Sequence, residues 1–214
     1  MNPLRLHRVA ALLPLLLPLA AAANIIPSVA SITAVGPAFT WAYALELSAD
    51  QDVRSGPLPG VPVVPSQALG FGSFLTIFDF AGYVAGSCTS PSGWVCLVQN
   101  VGYRPSDVMP DDDPGITNVT WHYASGPDIS GQPNGVSLGL FSAQSIYGNA
   151  ELESYAARGF KNSGLSAGTV AANVGLVSAP TGTPVPEPAT LALTGMALLL
   201  MGGLQGRRAR ARTD

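Results

Sequence analysis

The sequence predicts an all-β fold, an antiparallel β-sandwich of about seven to nine strands, with a signal peptide before it and a single transmembrane helix after it. Three observations lead there. Between Thr40 and Ser178 apolar residues alternate with a period of two rather than 3.6. Clusters of proline and glycine cut that alternation into short runs. The composition is rich in turn formers, with 24 Gly and 19 Pro, and poor in charge at 11%, which suits an extracellular β-protein better than a helical one. With 47% hydrophobic residues, the middle of the chain is too apolar to stay disordered.

Residues 1–23 read as a secretory signal. Arg5, His7 and Arg8 form a basic start, Val9 to Leu19 an apolar stretch, and Ala21-Ala22-Ala23 a small-residue cleavage site that would leave Asn24 first. The apolar stretch is about eleven residues and contains Pro14 and Pro18, too short for a span of roughly 30 Å.

The body, residues 24–180, is the size of one domain. Trp41, Tyr43, Leu45 and Leu47 share one face of the first clear strand. In the next, Phe74, Thr76, Phe78 and Phe80 share a face against Ser73, Leu75, Ile77 and Asp79, and both strands read as half-buried. Further strands are expected at 95–101, at 118–123 with Val119, Trp121 and Tyr123 on one face, at 136–141, at 155–161, and at 168–177 with Val170, Ala172, Val174 and Leu176 aligned. Only residues 143–157 offer a helix, weakened by Gly148 and Asn149.

Cys88 and Cys96 are the only two cysteines, and a disulfide is the favoured reading because both lie in the exported part. A metal pair or a reactive thiol are the alternatives, and the metal reading lacks nearby ligands. Residues 24–184 keep four basic residues, Arg54, Arg104, Arg158 and Lys161, against eleven acids, a net charge of about −7 that argues against nucleic acid.

No catalytic, cofactor-binding or metal site stands out. The body's single histidine, His122, lies opposite Trp121 on its strand and reads as a hydrogen-bonding surface residue, since no nucleophile motif accompanies it. Asp107 and Asp111-Asp112-Asp113 offer carboxylates to Ca²⁺, but without an EF-hand spacing they read as a solvated acidic loop. Glu46, Asp79, Glu151 and Glu153 are the acids that would have to meet for glycoside hydrolysis, which the sequence does not indicate. Of the aromatics, Trp94 and Tyr103 are the ones expected at the surface, where a carbohydrate would stack. Asn118-Val119-Thr120 fits a glycosylation pattern but falls within a strand.

The last segment carries three signals in order. Residues 181–188 are proline-rich and end in Val185, Pro186, Glu187 and Pro188, a stretch biased to extended backbone. Residues 189–206 carry no charge, and about eighteen residues at 1.5 Å each reach roughly 27 Å, near the minimum for a membrane span. Residues 207–214 contain Arg207, Arg208, Arg210 and Arg212, which stay cytoplasmic under the positive-inside rule and leave the body outside. This trio resembles the PEP-CTERM sorting signal of Gram-negative bacteria. The resemblance implies recognition by an exosortase, a membrane-embedded cysteine transpeptidase that cuts near the motif and sends the body to the cell surface. It covers about thirty residues and implies sorting alone. The expected role is that of an exported structural or adhesive protein, not an enzyme, which passes through the inner membrane and associates with exopolysaccharide. The alternative is a carbohydrate-binding module with exposed aromatics, assisted by Ca²⁺.

Overall fold

The computed structural model describes residues 25–182. The signal segment, the motif at Val185 to Pro188, the apolar run and the arginine tail lie outside the described residues. Among those described, the chain is all β apart from a single 3₁₀ turn, Gly164–Ser166, and no helix is long and apolar enough to cross a membrane.

Among the described residues twelve strands form, more than expected, because one long strand and several very short ones escape a reading by periodicity. Ile25–Val35 (β1) is exposed along most of its length, so it shows little apolar alternation. It pairs antiparallel with Ala38–Leu47 (β2), which pairs in turn with Val136–Ser145 (β10), giving one three-stranded sheet. The second sheet runs in the order Trp94–Gln99 (β6), Asn118–Tyr123 (β8), Phe74–Ile77 (β5), Ala150–Lys161 (β11), Gln51–Val53 (β3) and Ile129–Ser130 (β9). Val170–Pro180 (β12) pairs with the opposite edge of β11. Val63–Val64 (β4) and Arg104–Pro105 (β7) make a small parallel pair.

The two antiparallel sheets share one core, an arrangement consistent with a β-sandwich. Trp41, Tyr43 and Leu45 of β2 face Trp121 and Val119 of β8, as their alternation predicts, and all five are fully buried. Tyr43 lies 5.9 Å from Trp121, ring to ring, and its hydroxyl donates to the Ser178 carbonyl across the core. Burying a tryptophan removes roughly 200 Å² from water, worth about 5 kcal/mol before entropy is counted, so these rings dominate the core's cohesion.

Several expectations are corrected. Residues 143–157 form no helix; they are the end of β10, a turn at 146–149 and the start of β11. β5 is buried on both faces, not one. Leu75 and Ile77 enter the shared core, while Phe74, Thr76 and Phe78 lie under the loops that cover the sheet's outer side, with Tyr103 6.1 Å from Phe74. In β12 the aligned apolar residues point outward: Val174 is 43% and Leu176 63% exposed, while Val177 and Ala179 are buried. The reason is packing, since a side chain at inward-facing Gly175 would meet the Tyr155 ring at 2.7 Å. Finally, His122 is buried, with Nε2 2.5 Å from the Gly56 carbonyl.

Cys88 and Cys96 are joined by a disulfide, with Cα atoms 6.3 Å apart. Its loop links the two sheets: Thr89 bridges to Ser142 of β10, its carbonyl accepts from the Trp121 indole, and Cys96 belongs to β6. Trp94, expected at the surface, is instead nearly buried, its ring 5.1 Å from Phe141 and 5.2 Å from Tyr123. Tyr103 is half-buried and donates to the Pro59 carbonyl.

Candidate functional site

Where β5 ends, Phe78 N donates to the Ser154 carbonyl, so the β5–β11 ladder runs past its last regular pair, Tyr155 with Ile77. Two residues further in the same register, Asp79 and Glu153 come opposite each other. Asp79 adopts a left-handed backbone, φ 52°, which aspartate tolerates better than most residues. This break in the alternation returns Phe80 to the core, where its ring lies 6.5 Å from Trp41.

The two carboxylates line an open cleft of about 350 Å³. Its walls come from Gly115-Ile116-Thr117, from Tyr147 in the β10–β11 turn, and from Pro180-Thr181-Gly182 at the end of β12. Trp41 holds that turn by donating its indole N–H to the Tyr147 carbonyl at 3.0 Å. The Tyr147 ring lies close against two glycines, since a Cβ at Gly82 would meet it at 2.7 Å and one at Gly182 at 3.0 Å. Gly82 also has a φ of 67°, which a bulkier residue would resist.

Asp79 is only 8% exposed. One of its oxygens accepts the Asp113 N–H at 2.9 Å, and its own N–H donates to the Asn118 side chain at 2.7 Å. Asn118 donates in turn to Asp112, and Asp112 accepts from the Gly102 N–H. The acidic loop is therefore only partly the solvated feature expected: Asp111 and Asp113 are exposed, but the backbone and Asp112 serve to fix Asp79. Asn118 itself is fully buried and closed to glycosylation.

Desolvation raises the Asp79 carboxyl above its ordinary range, with Asp112, Asp113 and Asp111 adding repulsion against the Asp113 amide's opposing pull. Glu153 is pushed up to about 7, first by burial and then by the charges of Asp79, Glu151 and Asp111. Near neutrality this carboxyl holds a proton for part of the time. Among the described residues no group of three His, Cys, Asp or Glu side chains is placed to hold a metal ion.

Of the four acids that the sequence offered as potential partners, the structure brings Asp79 and Glu153 together with Glu151 in electrostatic reach. Glu46 lies elsewhere, exposed on β2 opposite Ile26 and Ser137 of the other sheet. Sequence reasoning missed Tyr147, which carries no local signal beyond its place in a turn. No protein-family model matches the chain, and no curated protein does either.

Proposed function

We propose that this is an exported surface or extracellular-matrix protein, structural or adhesive in role, whose tail is a PEP-CTERM signal read by an exosortase. In this reading residues 181–188 form the extended linker, with Val185, Pro186, Glu187 and Pro188 as the recognised motif. Residues 189–206 hold the chain in the inner membrane during sorting, and Arg207, Arg208, Arg210 and Arg212 keep the tail cytoplasmic. The observation that carries the reading is the Cys88–Cys96 disulfide tying the two sheets together, because such bonds persist in oxidising compartments outside the cytoplasm. The last strand ends at Pro180, and the proline-rich stretch follows it in the sequence.

The body associates with exopolysaccharide. A stacking platform of exposed tryptophans does not support this, because all three are nearly or fully buried. The half-exposed aromatic ring of the cleft, Tyr147, favours binding there instead.

Intact mass measured on protein from cells with and without a working exosortase tests the sorting claim. A mature form shortened near Pro186 only when the enzyme is present is the expected result. The same C-terminus in both strains defeats it.

A further inference from the structure

β1 is an edge strand, since among the described residues β2 is the only strand that pairs with it. Every residue of its 30–35 stretch is exposed. The cause lies in the other sheet. β1 and β12 run the same way along one side of the sandwich, with Asn173 donating to the Ile25 carbonyl and Ser178 accepting from Tyr43, the partner of Val29. β12 then stops at Pro180, whose carbonyl accepts from the Ala81 N–H and draws the chain towards the 79–82 loop. Ile32 and Ala34 share the core-facing side of their sheet with their partners Trp41 and Phe39, but β12 no longer runs beneath them. Ile32 is left 39% exposed.

Exposed edges present a row of backbone donors and acceptors, and they are ordinarily guarded by charge, proline or a bulge. β1 has its proline, Pro27, and its bulge, between Val29 and Ser31, in the N-terminal half. From Ser31 to Val35 it reads Ser-Ile-Thr-Ala-Val, uncharged and rich in the β-branched residues that favour strands. The body as a whole is acidic, so two copies repel each other over most of their surfaces. Along this strand they meet without setting like charges opposite each other.

We propose that two copies of this chain pair antiparallel through the 30–35 edges of their β1 strands, about a two-fold axis near Ile32, joining two three-stranded sheets into one of six. A second copy fits this edge because the contact is its own complement. The axis sets Ile32 beside the partner subunit's Ile32, so each covers apolar surface that its own second sheet leaves bare, and the ladder matches donors and acceptors in equal number. Six residues at about 3.4 Å each make a strip about 20 Å long and, with side chains on both faces, roughly 20 Å wide, so the pair buries about 800 Å² in total, the low end for a specific contact. The dimer is therefore weak in dilute solution. Copies crowded together on a surface meet at a high effective concentration, where a weak contact suffices, and the contact itself is independent of how the chain is sorted.

The test is analytical ultracentrifugation of the full chain in density-matched detergent, from about 1 to 500 μM, a range that brackets a weak contact. The mass is expected to rise from one copy towards two across that range. Ile32→Lys and Ile32→Asp are each expected to weaken association at least tenfold by opposing like charges across the axis, with the unfolding temperature unaltered, and an equimolar mixture of the two is expected to restore it. Thr33→Lys, on the other face of the same strand, is a second variant with the same expected loss. A single copy at every concentration overturns the proposal, and so does association that persists in both lysine variants, which places the contact on another surface. A mixture of Ile32→Lys and Ile32→Asp proteins that stays monomeric overturns the pairing of Ile32 with its counterpart. A synthetic peptide with the sequence of residues 28–35 is expected to compete with the dimer; a protein that binds this peptide but never itself associates assigns the edge to a foreign strand and overturns the second copy as its occupant.

Discussion

Arg158 and Glu153 lie five residues apart on β11, on opposite faces of the strand, and their charges are handled in opposite ways. Arg158 is fully buried on the outer side of the sheet, where its guanidinium donates to the carbonyls of Pro65 and Ala68 and lies 5.4 Å from the Phe160 ring. Arg54 approaches the same ring at 4.7 Å, so Phe160 packs against two cations. Burial lowers the arginine's pKa, but carbonyl dipoles, the aromatic face and the charge of Asp107 answer its charge from several sides. Glu153 has no such shell. The difference teaches where charge is architectural and where it is left open: Arg158 pins the 65–68 loop to the sheet, whereas Asp79 and Glu153 are held in place by neighbours that repel them.

The sharpest way to break this contrast is Arg158→Ala. It should cost about 3 kcal/mol, because it leaves a cavity and orphans two carbonyls. Urea denaturation measures this, and a loss under about 1 kcal/mol would mean that the arginine is not structural.

Glu153→Gln should act with the opposite sign. The folded-state pKa of Glu153, about 7, lies above its ordinary 4.5, so the folded protein holds more protons than the unfolded chain across that window. Its contribution is therefore most favourable below 4.5 and is lost as pH rises through 7. Removing the charge should stabilise the protein by about 1 kcal/mol at pH 8, after allowing for solvent screening, and should flatten the pH profile between 4.5 and 7. A destabilised variant at pH 8 would make Glu153 as structural as Arg158.

The smallest expected effect separates the two faces of the sheet by pH. His122 sits on the outer face, and burial lowers its pKa against the pull of the Gly56 carbonyl. Its contribution is present above its ordinary 6.5 and is lost as pH falls towards the depressed value. In Glu153→Gln protein this acid-side loss should be easier to see as pH falls below 6.5, and His122→Gln should remove it. Urea midpoints taken at half-unit pH steps resolve the pair, and a profile unaltered by His122→Gln would place the acid response elsewhere.

Much of the scaffold was legible in residues alone. Strict alternation marked β2 and β8 and chose their inward faces correctly, because in each only one face carried the large apolar and aromatic side chains. β5 and β12 show where that reasoning stops. β5 has apolar residues on both faces, so a pattern of period two detects the strand but cannot say that each face has its own cover. In β12 the steric demand of Tyr155 over Gly175, set by a strand about twenty residues earlier, overrode the more apolar face.

The sequence by itself determined the class of fold, the presence of strands where apolar residues alternate, the paired cysteines and the acidic balance of the body, because each is a matter of local pattern or composition. Only the tertiary structure decided that Asp79 and Glu153 meet, that Trp94 and His122 are covered, and that Tyr147 forms the wall of a cleft. Those outcomes depend on strand order and register, which join residues far apart in the chain and leave no mark in the local period.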